Sequence, residues 1–221
     1  MKFSEMKYER PDLEAMKSEL RGLTGQLRAA QDYAQAREVF LRHEKASIHM
    51  ETLATLASVR HQIDTRDAFY DAEETFWNAA SPELEEYEDA WKGALLESPF
   101  RKEFEEELGD LMFVNAELAR KAFSPEIIPE CQQENDLSQA YSKLIASAQI
   151  PFEGGVYTIS QLSPFKNDPD DARRLAAWKA EGVWYKEHQA EFDEIYDKMV
   201  HLRDTMGKKL GYGGYTTLGY Y

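Results

Sequence analysis

His43, Glu44 and His49 fall within the stretch RHEKASIHM, residues 42–50. Histidine and glutamate together on a helix are the residue types that hold zinc and activate its water. Spacing decides against that chemistry here. A helix turns about 100° per residue, so histidines four apart lie roughly 40° from each other and can share one ion. His43 and His49 are six positions apart, which separates them by roughly 120° around the axis. No Gly or Pro interrupts the residues between them, so they cannot share an ion.

The remaining reactive side chains give no clearer signal. His61-x-x-Asp64, His188-x-x-Glu191 and His201-x-x-Asp204 each place an imidazole beside a carboxylate on one helix face. None has the Glu-x-x-His order of bundle di-iron sites, and no Gly-x-Ser-x-Gly elbow occurs. Asp64, Asp67, Asp71 and Glu74 form an acidic ladder that reads as a solvated face. Cys131 is the one cysteine, without a nearby histidine, and reads as a structural or surface thiol. Glu153-Gly154-Gly155 lacks the Lys-Ser/Thr and glycine spacing of a phosphate loop. These residues assign no catalytic group and no metal ligand. They describe an acidic helical domain, which fits a self-contained bundle that recognises a partner helix. A bundle that binds metal through histidines and carboxylates is a further reading.

Composition says which elements must position these residues. The chain has 221 residues, 43% hydrophobic and 12% aromatic, enough for a sizeable core. Gly 12 and Pro 8 are few, which favours long helices. The net charge of −15 repels nucleic acid and anionic membranes, so neither is an expected partner. No apolar run reaches the roughly 18 residues of a membrane span. The opening MKFSEMKYERPD lacks the apolar core of a signal peptide. A cytoplasmic protein is expected.

Periodicity then places the helices. Leu13, Met16, Leu20, Leu23 and Leu27 make one apolar face after Pro11-Asp12. From Asp32 to Ile63, Ala36, Phe40, His43, Ser47, Met50, Ala54, Ala57 and His61 alternate steps of four and three. That is a heptad seam of mostly small residues, which lets a neighbouring helix approach closely. His43 and His61 lie on it and read as hydrogen-bonded interface residues. A helix over TRDAFYDAEETFWNAA follows. Ser81-Pro82, Ser98-Pro99 and Ser124-Pro125 each predict a helix start, with Ser as cap and Pro in the first turn. The predicted helices run near 82–97, 99–107, 110–122 and 125–148. QIPFEGGVYTIS predicts a β-hairpin near 150–160, with Gly154-Gly155 supplying positive φ. SPFKNDPDD reads as loop. One bent helix or two then follow, with an interruption at Gly182 and a strong apolar stripe from 185 to 210. The expected fold is mainly α: a multi-helix bundle of long antiparallel helices with one small β-hairpin. Residues 1–149 form a helical region and 150–221 the hairpin with its following helices, within one compact unit.

Four collinear segments carry a family resemblance. They are MKFSEMKYERPD (1–12), ASVRHQIDTRDAFYDAE (57–73), the run from Ile127 to Phe165 and the run from Ile195 to Tyr221. In the last, Arg203 precedes Lys209-Leu210-Gly211-Tyr212 and Leu218-Gly219-Tyr220-Tyr221. Together they resemble the N-terminal half of oligoendopeptidase F-type zinc metallopeptidases. The resemblance implies a helical lobe with a small β element that walls a channel admitting oligopeptides. It implies zinc in the full-length parent and none in this chain, which lacks His-Glu-x-x-His and is expected to be inactive alone. The implied partners are the parent's C-terminal catalytic lobe and oligopeptide substrate, or a second copy through an apolar face left exposed. Glu153, Tyr157 and Phe165, around the hairpin, are the expected substrate-channel residues.

Overall fold

The computed structural model describes residues 2–221. Four of its helices begin at an aspartate whose carboxylate accepts backbone N–H groups that the first turn leaves without partners. Asp12 caps α1 (Leu13–Ala29) and Asp32 caps α2 (Tyr33–Ile63). Asp67 caps α3 (Ala68–Leu96) through the amides of Phe69 and Tyr70. The other helices of the first 150 residues are α4 (Arg101–Leu108), α5 (Leu111–Ala122) and α6 (Ile128–Ala146). Ser124 caps the short 3-10 turn Pro125–Ile127 that leads into α6. A hairpin follows, β1 (Ile150–Phe152) with β2 (Gly155–Tyr157). Then come α7 (Ser163–Lys166), α8 (Asp171–Glu187, capped by Asp170), α9 (Gln189–Lys209) and α10 (Tyr215–Leu218). The fold is mainly α with one small hairpin, as the sequence predicts.

Contacts divide the chain into two units, Met1–Gln132 with Arg203–Tyr221 and Gln133–Leu202. In the first, α1, α2 and α3 pack pairwise and α5 packs on α3. The seam of α2 is the contact face: Ala36, Phe40, His43, Met50, Ala57 and His61 are all buried. One core joins Leu23, Leu27, Phe40, Trp91, Phe104 and Phe113. Another joins Met16, Leu20, Met50, Leu53, Trp77 and Leu84. Phe104 and Phe113 have no exposed surface, and burying each stabilises the unit by roughly 1.5–3 kcal/mol. A third, smaller core of Ile127, Met206 and Leu218 ties the C-terminal residues into the same unit.

In the second unit Ile150 of the hairpin packs with Ala148, Leu162, Ala177 and Trp184. The turn has φ 45° at Glu153 and 79° at Gly154, the two left-handed residues of a tight hairpin. Positive φ thus falls on Glu153 and Gly154, not on Gly154 and Gly155. A Cβ at Gly155 would lie 2.6 Å from Tyr157 Oη and 2.7 Å from its ring, so a larger residue there would displace the Tyr157 side chain.

Four boundaries differ from the sequence reading. Ser98 and Pro99 precede α4 without capping it, since the helix begins at Arg101 with Phe100 at its N-cap. Ser81-Pro82 starts no helix, because α3 runs through it. An internal proline costs about 3 kcal/mol in a lost bond and steric crowding. Here Trp77, Ala80 and Leu84 bury one continuous face across the site, with Pro82 itself buried, and that packing outweighs the local preference. Residues 163–166 form a single helical turn where a loop is expected. The interruption expected at Gly182 lies instead at His188, where His188 Nδ1–H donates to Trp184 O at 2.9 Å.

Candidate functional site

The expected channel residues meet on one surface of the second unit. Phe165, on α7, lies between the hairpin and α8. Its ring centroid is 5.1 Å from that of Tyr157 and 5.2 Å from that of Phe152. The Arg173 guanidinium of α8 sits 5.0 Å above the same ring, within cation–π range. Arg173 then grips the turn, donating from Nε and Nη2 to the two carboxylate oxygens of Glu153 at 2.9 and 2.7 Å. Its Nη1 donates to Asp168 at 2.8 Å. Glu153, Tyr157 and Phe165 are therefore joined through Arg173 and Phe165.

Local chemistry explains why this platform holds its shape. Glu153 adopts a left-handed φ, which costs a non-glycine residue roughly 1–2 kcal/mol, and the bidentate pair with Arg173 fixes it there. Arg173 keeps the Glu153 carboxyl below the usual carboxylate range. Asp168 is held down likewise, first by the Asp170 amide and then by Arg173. Beneath, Lys166 and Glu181 form a buried pair at 2.5 Å, and Lys166 Nζ lies 4.6 Å over the Trp178 ring. The surface offers an aromatic face beside a fixed array of opposite charges.

His43 and His61 of α2 face carboxylates of α3 that the sequence does not reveal. His61 Nε2 lies 3.2 Å from Asp71 of α3. His43 stacks on Trp91 with centroids 3.8 Å apart and planes 2° from parallel. Its Nδ1 is 3.4 Å from Ser47 Oγ, and Ser47 donates to Glu88 Oε1 at 2.9 Å. Ser, His and Glu are thus together, but the serine proton points to the carboxylate and not to the imidazole. Acyl transfer needs the base to take the serine proton while the acid orients the base, so this cluster is not a nucleophilic triad. The signal for it was the spacing of Glu88, Trp91 and Lys92 on one face of α3, which sequence alone cannot pair with α2.

Burial pushes the His43 pKa down to about 4, with the Lys92 ammonium adding to the shift. Burial also raises that of Glu88, against the lowering effect of Ser47 and Lys92. An unfolded histidine titrates near 6.5, so between pH 6.5 and 4 the unfolded state takes up the proton first. Stability is fully present above that window and declines as pH falls through it. His43 alone removes about 2 kcal/mol between pH 7 and pH 5. Glu88 acts in the opposite sense, and the facing Lys92, Glu44 and Glu85 are common to both states of the comparison. His43→Gln is therefore expected to flatten the pH dependence of urea unfolding by about 2 kcal/mol over that range. Equal losses in wild type and variant would refute the assignment.

No group of three or more His, Cys, Asp or Glu among the described residues is arranged to hold a metal ion. No helix among them is long and apolar enough to cross a membrane.

Comparison with known proteins places this geometry. Residues 3–123 match the model of the peptidase M3 N-terminal domain. A search of curated proteins gave no match. Among solved structures, one described as an oligoendopeptidase F superposes with a TM-score of 0.96 at 39% identity, over 100% of this chain and 39% of its own. PZ peptidase A, solved with an inhibitor, gives 0.95 at 36% identity over 99% of this chain and 39% of its own. An oligoendopeptidase F from Bacillus anthracis gives 0.95 at 34% identity over 100% and 40%. The chain spans about two fifths of the length of these relatives. With more than half of its residues matched by the family model and its helices superposing throughout, the chain belongs to the peptidase M3 N-terminal domain family.

Proposed function

We propose that this chain is the non-catalytic helical lobe of a zinc-dependent oligoendopeptidase, and that it shapes the channel through which short peptides reach a catalytic lobe. The observation that carries the reading is the superposition of the whole chain on oligoendopeptidase F at 39% identity. Zinc is a property of the family by resemblance. The donor set described here does not fit it, since His43 and His61 face two different carboxylates, Glu88 and Asp71, and no group of three or more His, Cys, Asp or Glu among the described residues is arranged to hold an ion. The ion and the general base belong to the catalytic lobe of the parent, a soluble cytoplasmic enzyme. Residues 1–149 serve as helical wall, and 150–221 lead toward that lobe.

Glu153, Tyr157 and Phe165 contact the oligopeptide in this proposal. An extended peptide can lay side chains on the Tyr157–Phe165 face while Glu153 and Arg173 offer charges to its polar groups. The exposed side of α8 supports a further contact. Leu175, Trp178 and Val183 are each more than half exposed, an apolar surface of the kind that marks an interaction site. The catalytic lobe covers it in the parent, and a second copy can cover it in the isolated chain.

The test uses a fluorogenic oligopeptide. Residues 1–221 with added zinc are expected to give no hydrolysis, and the longer parent to be active. In the parent, Tyr157→Ala and Phe165→Ala are expected to raise KM about tenfold with kcat little changed, the signature of lost uniform binding. Turnover by the 221-residue chain, or an unchanged KM in both variants, would overturn the proposal.

A further inference from the structure

A groove lined by α2, α3 and α5 lies within the first unit. It has a volume of about 360 Å³, and α3 contributes Glu88, Trp91 and Lys92 to it while α2 contributes His43, Glu44 and Glu51. Through Glu51, Glu88 and Lys92 it continues into a second hollow of about 280 Å³ that Glu85 also lines. Four carboxylates, Glu44, Glu51, Glu85 and Glu88, thus face one ammonium. That ammonium is already engaged, with Lys92 Nζ 2.6 Å from Glu85 Oε1.

A second observation is independent of the charge count. His43 is 2% exposed, and its Nε2 makes no hydrogen bond. The atom it faces is Glu88 Oε2, 3.4 Å away but off the line of a bond. Glu88 Oε1 is taken by Ser47 Oγ, so Oε2 is a carboxylate oxygen with unused capacity beside a buried nitrogen that lacks a partner. A buried polar atom without a partner costs roughly 1–3 kcal/mol, and such a group marks a place where a partner is wanting. The carboxyls report the same unmet field. Burial raises Glu88, and burial with the Glu51 charge raises Glu44.

We propose that this groove binds the guanidinium of an arginine side chain presented on a peptide, with Glu88 and Glu51 as its carboxylate partners. The acceptors here call for a group that only donates. A guanidinium carries five N–H donors in a flat fork, can serve two carboxylates at once and gives up water more readily than an ammonium. The site goes beyond the peptidase reading and uses none of the platform residues.

The experiment titrates residues 1–221 with acetyl-Gly-Arg-Gly-amide, with its uncharged citrulline analogue and with its lysine analogue, following amide and indole shifts by NMR. The arginine peptide is expected to give saturable shifts at Ser47 and Trp91 and to weaken as salt is raised. The citrulline and lysine peptides are expected to bind at least tenfold more weakly. Glu51→Gln and Glu88→Gln are each expected to lose about tenfold. Glu51 is exposed, so its variant keeps the test valid if Glu88→Gln unfolds. Equal binding of the citrulline or lysine peptide, unchanged affinity in Glu51→Gln, or no saturable shift at millimolar peptide would each overturn the assignment.

Discussion

Gly207→Ala is expected to destabilise the first unit by about 3 kcal/mol, the upper end for overpacking a tight site. A Cβ at this buried position of α9 would overlap the Gly214 carbonyl and stand 2.8 Å from Tyr215 N. Both are backbone groups, so no side-chain rotation can relieve the clash. The segment cannot easily move away either. Tyr212 N–H donates to Gly207 O at 2.9 Å, Tyr212 Oη donates to Lys121 O at 2.8 Å, and Leu218 is buried against Ile127 and Met206. Gly211 and Gly214, at φ 82° and 155°, turn the chain back onto the helix at the point where Gly207 leaves room for it. Thermal unfolding of the variant should fall by roughly 6–12 °C, with faster tryptic cleavage after Lys208 and Lys209. A variant that melts with wild type would show that the close approach is not required.

Lys166→Met is expected to cost the second unit about 3–5 kcal/mol, the range for breaking a buried ion pair from one side. The side chains of Lys166 and Glu181 are 12% and 9% exposed. Removing the ammonium leaves the largely buried Glu181 carboxylate without its partner on α7. The double replacement Lys166→Met with Glu181→Leu removes both charges and should recover most of the loss. Urea unfolding of the single and double variants checks this. If the double variant is no more stable than the single, the stranded charge is not the cause. Lys166 follows Phe165 directly in sequence, so the single variant should also loosen the aromatic platform, visible as a shifted Tyr157 environment in near-ultraviolet circular dichroism.

Much of the fold is legible in the sequence because its signals are local. The aspartates that cap α1, α2 and α3 act within a turn of their own positions. The α2 seam is a periodicity that any packing partner must respect, and six of its eight residues are buried, with Ser47 and Ala54 partly so. Glu153-Gly154-Gly155 marks the hairpin by turn chemistry, although positive φ falls one residue earlier than the two glycines suggest. What fails is wherever tertiary packing decides. Ser81-Pro82 carries a strong local start signal, and the joint burial of Trp77, Ala80 and Leu84 overrides it. The candidate platform shows the same divide. Glu153, Tyr157 and Phe165 are near in sequence and could be named from the resemblance, but Arg173, which joins them, comes from the next helix. The pairing of His43 with Glu88 and Trp91 depends on how α2 and α3 register, and one sequence does not encode that register in any local pattern.

Pro82 has a mechanical consequence for α3. A proline has no amide hydrogen, so the ladder of this 29-residue helix lacks one rung in the turn that precedes it. Bending at that turn stretches fewer bonds than bending anywhere else along the rod. The helix carries Trp77 and Leu84 into one apolar cluster and Trp91 and Leu95 into the other. Its compliant point lies between Trp77 and Leu84, so a flexing wall would pivot there while the segment bearing Glu88, Trp91 and Lys92 moved as a stiff lever.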